Sequence, residues 1–209
     1  MEEIDVALTD YALTALCVIF VFVLIRGHPN SSARNWFAMM FLSVGLAAAL
    51  GGTVHGFIHE NTFFHTIFWR STIVLIGVSA LSAWVLGALI MLGNKGRERI
   101  RVLALVNFVF YLFYVLFFNQ SFAVAVVNYL PSAIFLLIGF GITYKRTLNR
   151  LALVALSGLI LTFVAAGIQQ LEIGIHAQYF DHNALYHVIQ AFGLFLVFSG
   201  ARFMVRLEG

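Results

Sequence analysis

The chain has 209 residues, 62% hydrophobic and 10% charged, with a net charge of +3 and a mean hydropathy of +0.97. That balance lies outside the range of soluble domains and leaves no stretch polar enough for a separate one. The basic residues are scattered through short loops, which argues against a nucleic-acid surface, and a lone Cys17 excludes a disulfide framework.

Apolar runs of about 20 residues, the length that crosses a hydrocarbon layer, recur along the chain. They predict an all-α, polytopic membrane protein: one domain over residues 1–209 containing seven transmembrane helices. The first is expected over 6–26, with Asp10 about one turn in. Its acidic start and the lack of a small-residue cleavage site mark it as a retained helix rather than a signal peptide. The second is expected over 35–58 and ends in GGTVHGFIHE, which carries His55, His59 and Glu60. Gly45, Gly51, Gly52 and Gly56 allow another helix to approach that region closely. The third, over 66–92, begins just after His65 and holds Arg70 inside its apolar start, where a guanidinium needs a carboxylate or a ligand. The fourth, over 101–118, is rich in aromatic residues suited to lipid contact and packing. The fifth, over 122–143, is expected to bend at Pro131. The sixth covers 150–170. A polar segment with Glu172, His176 and Asp181 then leads into the seventh, over 183–205, which opens as DHNALYH.

Lys and Arg concentrate in the first, third and fifth loops and at the C-terminus, whereas the second, fourth and sixth loops have none. The expected orientation therefore places the N-terminus outside and the C-terminus in the cytoplasm, in a bacterial inner (plasma) membrane. Six of the seven histidines then fall at one membrane level, joined by Asp10, Glu60, Arg70, Glu172 and Asp181.

Imidazoles gathered at the ends of apolar segments point to a site. His55 and His59 are four apart, so a helix would stack them on one face, where two imidazoles can share a divalent ion. His187 is the candidate third ligand. His182, roughly 140° away around an ideal helix, is a conditional fourth that requires the backbone to bend. Zinc held there would lower the pKa of a bound water toward about 7 and polarise an acyl carbonyl. Asp10, Glu60 or Asp181 would act as general base or orient an imidazole, and Arg70 would hold a lipid head group. Without a metal, Asp181 and Asn183 read as N-cap residues of the seventh helix, and histidines such as His65 and His176 as interfacial groups.

Seven helices, a His at the outer end of the second and a His-bearing motif opening the seventh resemble the superfamily of alkaline ceramidases and progestin/adiponectin receptors. The resemblance implies a zinc-dependent membrane amidase or a relative of one. His187 corresponds to the second His of that family's helix 7 motif, and Asn183 stands where the first would be. His55 or His59 corresponds to the helix 2 His. The first half of the third helix has no Asp, and His55 and His182 are the candidates for the vacant ligand places. DHNALYHVIQ also resembles a motif in bacterial seven-helix proteins without assigned function.

Two functions are expected from these residues. The first is a zinc-dependent hydrolase of a lipid amide or ester, with a membrane lipid as substrate. The alternative is a non-enzymatic sensor, or a ligand- or metal-binding subunit, built on the same histidines. A transporter is disfavoured because no internal repeat is visible. A retinal pigment is disfavoured because Lys95 and Lys145 both lie in loops. No nucleic-acid partner is expected.

Overall fold

The computed structural model describes residues 3–59, 62–176 and 179–208, with 207 and 208 described by backbone alone. Among the described residues, seven α-helices follow one another: α1 (Ile4–Gly27), α2 (Ser32–Phe57), α3 (Phe63–Met91), α4 (Asn94–Phe117), α5 (Phe122–Thr147), α6 (Arg150–Gln170) and α7 (His182–Glu208). All seven are long and apolar enough to cross a membrane. Most connections are a few residues long, which makes successive helices antiparallel neighbours.

Local chemistry sets several boundaries. The side chains of Ser31, Thr62, Asn149 and Asp181 accept hydrogen bonds from the backbone N–H groups of Arg34, His65, Leu151 and Ala184, satisfying donors that a helix start leaves unpaired. α5 runs through Pro131 and ends with Leu148 in the left-handed region at φ 51°. α4 begins at Asn94 and not at 101, so Lys95, Arg97, Arg99 and Arg101 belong to the helix itself. A charged first turn is tolerated where it projects beyond the apolar span. α2 stops at Phe57, one residue earlier than expected, because Ile58 is extended (φ −115°, ψ 117°).

Lipid is as apolar as leucine, so close packing rather than burial from water holds such a bundle together. α3 packs against α2, α4 and α5, while α7 packs against α6, α1 and α2. Glycine sets the tightest approaches. A Cβ on Gly158 would lie 2.6 Å from Gly193 O, and one on Gly200 would lie 2.3 Å from Ala155 Cβ, so α6 and α7 touch backbone to backbone. Phe20, Phe41 and Phe198 form an aromatic knot between α1, α2 and α7, with centroids 4.2–6.0 Å apart. α4 is the outlying helix. Most of its aromatic residues are exposed, and the Tyr111 hydroxyl ties it to α3 by donating to Ile73 O at 2.8 Å.

Candidate functional site

The site begins with room for one carboxylate. Asp10 is buried on α1 against two glycines of α2. A Cβ on Gly52 would come within 2.8 Å of Asp10 Cβ, and one on Gly51 within 3.4 Å of Asp10 Oδ2. Across from it, the Asp181 cap fixes the start of α7 and so places His187 about one turn inside. His187 Nε2 lies 3.2 Å from Asp10 Oδ1, with the two side chains 11% and 4% exposed. On the other side of the ring, Thr9 Oγ1 lies 3.2 Å from His187 Nδ1.

These contacts constrain the proton arrangement. The Thr9 hydroxyl has one hydrogen and three acceptors in reach: Val6 O at 2.9 Å, Asp5 O at 3.1 Å and His187 Nδ1 at 3.2 Å. With that hydrogen on a carbonyl, Nδ1–H of the ring donates to Thr9 Oγ1; with it on Nδ1, the ring hydrogen lies on Nε2. In either arrangement Nε2 and the Asp10 carboxyl face each other across a single shared proton. Two lone pairs at that distance without one would repel.

A second pair stands beside the first. His55 Nδ1 donates to Glu3 Oε2 at 2.6 Å, and Glu3 N donates to His55 O at 3.0 Å. The hydrogen bond from His55 is the main reason the Glu3 carboxyl sits below its ordinary range, with partial burial opposing it. The His55 ring meets Trp69 edge to face at 6.2 Å. Asp5 Oδ2 accepts from Asp181 N at 3.3 Å, so the first turn of α1 is fastened to both α2 and the cap of α7.

Both pairs border a cavity of about 230 Å³. Asp10, His55, His182, Asn183, His187 and Gln190 supply polar lining; Leu13, Val44, Ala48, Ile76 and Phe122 supply apolar lining. Gln169, also in the wall, donates to Asn183 Oδ1 at 3.3 Å. The lining contains no Lys or Arg.

Of the residues expected at a site, Asp10, His55, His182 and His187 share this cavity. His59 does not join them. It lies beyond the end of α2, exposed, because the extended Ile58 breaks the helical register that would have stacked it under His55. Asp181 serves as the cap of α7, and its Oδ1 accepts from Ala184 N at 2.8 Å. Arg70 lies outside the lining, and its Nε is buried without a hydrogen-bond partner among the described residues. Glu60 lies outside the described residues. Among the described residues, no three His, Cys, Asp or Glu side chains gather where they could hold a metal ion. The expected zinc set of His55, His59, His187 and His182 is therefore not assembled. His59 has left the helix, Glu3 takes His55, and Asp10 takes His187.

Glu3, Thr9 and Trp69, with Tyr129 and Tyr186 of the cavity wall, are the participants that sequence reasoning missed. Glu3 and Thr9 carried a usable signal: each is a polar group in the same first turns as Asp10. The aromatic residues carried none, being indistinguishable from the many others in the spans.

Among the described residues, fold and cavity together define a bundle of seven helices long and apolar enough to cross a membrane, with a polar-walled chamber toward one end. Within that class, the chain belongs to the family of unknown function designated DUF6962, whose model matches residues 6–206 and thus every cavity residue. No curated protein and no solved structure matches the chain. Neither finding links it to the ceramidase and receptor superfamily.

Proposed function

We propose that this protein is a non-enzymatic ligand-binding membrane protein, a sensor or binding subunit. Its cavity takes a small amphiphile with an uncharged or cationic hydrogen-bonding head. The observation that carries this reading is the composition of the cavity wall. A carboxyl, three imidazoles, amides and hydroxyls share the wall with apolar side chains, and among the described residues no Lys or Arg is there to hold an anion. At about 230 Å³ the chamber is smaller than the roughly 300–1,000 Å³ of sites for drug-sized ligands, so the ligand is correspondingly small. Ligand donors meet the second oxygen of Asp10, and ligand acceptors meet the amide hydrogens of Asn183 and Gln169.

Confinement of every Lys and Arg except Arg70 to the opposite end supports an orientation with the cavity toward the outer face. Resemblance of the α7 motif to bacterial proteins supports a bacterial plasma membrane. The divided donors favour binding over zinc-dependent hydrolysis, which needs three ligands on one ion and an open position.

Thermal unfolding of purified protein with octanol, octylamine or octanoate tests the proposal. Octanol or octylamine raises the Tm, octanoate does not, and Asp10→Ala removes the effect. Equal protection by octanoate, or none by any of the three, refutes it. About one equivalent of tightly held zinc together with turnover of a lipid amide would establish the hydrolase instead.

A further inference from the structure

At the opposite, basic end of the bundle lies a second cavity of about 220 Å³, between α2, α3, α4, α5 and α7. Phe37, Leu86, Ile90 and Met204 give it an apolar wall, and Arg97 and Arg146 bring two guanidiniums to it. Arg97 is half-buried and held in place: its Nε donates to Leu92 O and its Nη2 to Leu89 O, both at 2.8 Å. Those two bonds close the last carbonyls of α3 and leave the other guanidinium hydrogens for another acceptor. Arg146 is exposed.

The described side chains leave this cavity without a counter-charge. Among the described side chains of this end, Glu98 alone is acidic, and Arg101 takes it at 3.6 Å. Nearby His28 registers the same imbalance. Burial first, and then Arg206 and Arg202, hold its ring below the ordinary histidine value.

We propose that this cavity binds an anionic phospholipid, with its phosphate on Arg97 and Arg146 and the start of an acyl chain along Phe37, Leu86 and Met204. Guanidinium forks match phosphate oxygens in pairs, and basic pockets between helices at the cytoplasmic face are the recurrent setting for such head groups. The apolar wall selects a lipid over a free anion, since inorganic phosphate would leave that wall without a partner. Nothing in this proposal depends on the histidine cavity at the other end.

The test is thermal unfolding of the full chain in neutral detergent, titrated with dioleoylphosphatidylglycerol, dioleoylphosphatidylcholine or inorganic phosphate. The phosphatidylglycerol raises the Tm at concentrations where the other two leave it unchanged. Arg146→Gln weakens the apparent phosphatidylglycerol affinity about five-fold. Arg99→Gln, which removes the same charge from an exposed position outside the cavity, leaves it unchanged. Arg97→Gln abolishes the protection; because Arg97 also closes α3, the exposed Arg146 decides the matter if that variant does not fold. Equal protection by phosphatidylcholine, protection by phosphate as strong as by the lipid, or an equal loss in Arg99→Gln overturns the proposal.

Discussion

Replacing Asp10 and His187 singly and together measures whether the shared proton holds α1 to α7. Asp10→Ala leaves His187 Nε2 without its partner at 3.2 Å, and orphaning one buried polar group costs about 1–3 kcal/mol. His187→Ala orphans Asp10, releases Thr9 and deletes a ring that is almost fully buried, so its cost lies at the upper end of about 2–4 kcal/mol. In the double variant neither group is left unpaired, and the combined loss falls short of the sum by about 1–2 kcal/mol. Asp10→Asn refines the test. Its amide can donate to Nε2 or accept from it, so it costs less than Asp10→Ala by about 1 kcal/mol. Reversible unfolding in mixed micelles, followed by circular dichroism, gives the four free energies. Single effects that add to within about 0.5 kcal/mol would refute the coupling. An Asp10→Asn variant as unstable as Asp10→Ala would refute the proton arrangement.

Three further outcomes follow from other parts of the bundle. Gly158→Ala places a methyl 2.6 Å from Gly193 O, against backbone that has no rotamer to yield; it lowers stability by about 1–3 kcal/mol, and an unchanged melting curve contradicts the close contact. Leu148→Gly relieves a left-handed conformation at an exposed site and raises stability by up to about 1 kcal/mol, whereas a lowered Tm contradicts this. His28 has a folded pKa below its unfolded one, so the unfolded chain takes up the proton first. Its stability contribution is complete above about pH 6.5 and is lost as pH falls through the folded value. Melting at about pH 7.5 and about pH 5.5 therefore shows a decline that His28→Leu flattens, and an equal decline in that variant rules out His28 as its source.

The seven helices were legible because crossing a membrane demands long apolar runs, and little else in the chain competes with that pattern. A close helix approach to α2 was legible from Gly45, Gly52 and Gly56, but its partner was not: each would put a Cβ 2.8 Å from a side chain of α1. The pairing of Asn107 on α4 with Asn128 on α5, which meet at 3.0 Å, was not legible. The site was legible as a neighbourhood but not as a set of partners. Spacing suggested His55 with His59, yet one extended residue, Ile58, ended the helix between them. Asp10 finds its partner 177 positions away, on α7. No periodicity encodes such a pairing; it is a product of helix packing. Thr9 was hidden for a related reason. A hydroxyl bonded back to its own helix gives no hint in sequence that it also meets a ring nitrogen of another.

The glycine contact between α6 and α7 has a mechanical consequence. With Gly158 set against Gly193 and Gly200 against Ala155, the two helices lack the cushion of side chains that would let one slide over the other. They behave as one stiff plank, and the chamber uses that plank as its fixed wall through Gln169, Asn183 and His187. Breathing of the chamber then falls to the α1 side, where the seam is closed by polar fastenings at Glu3, Asp5 and Asp10, which can be undone one at a time.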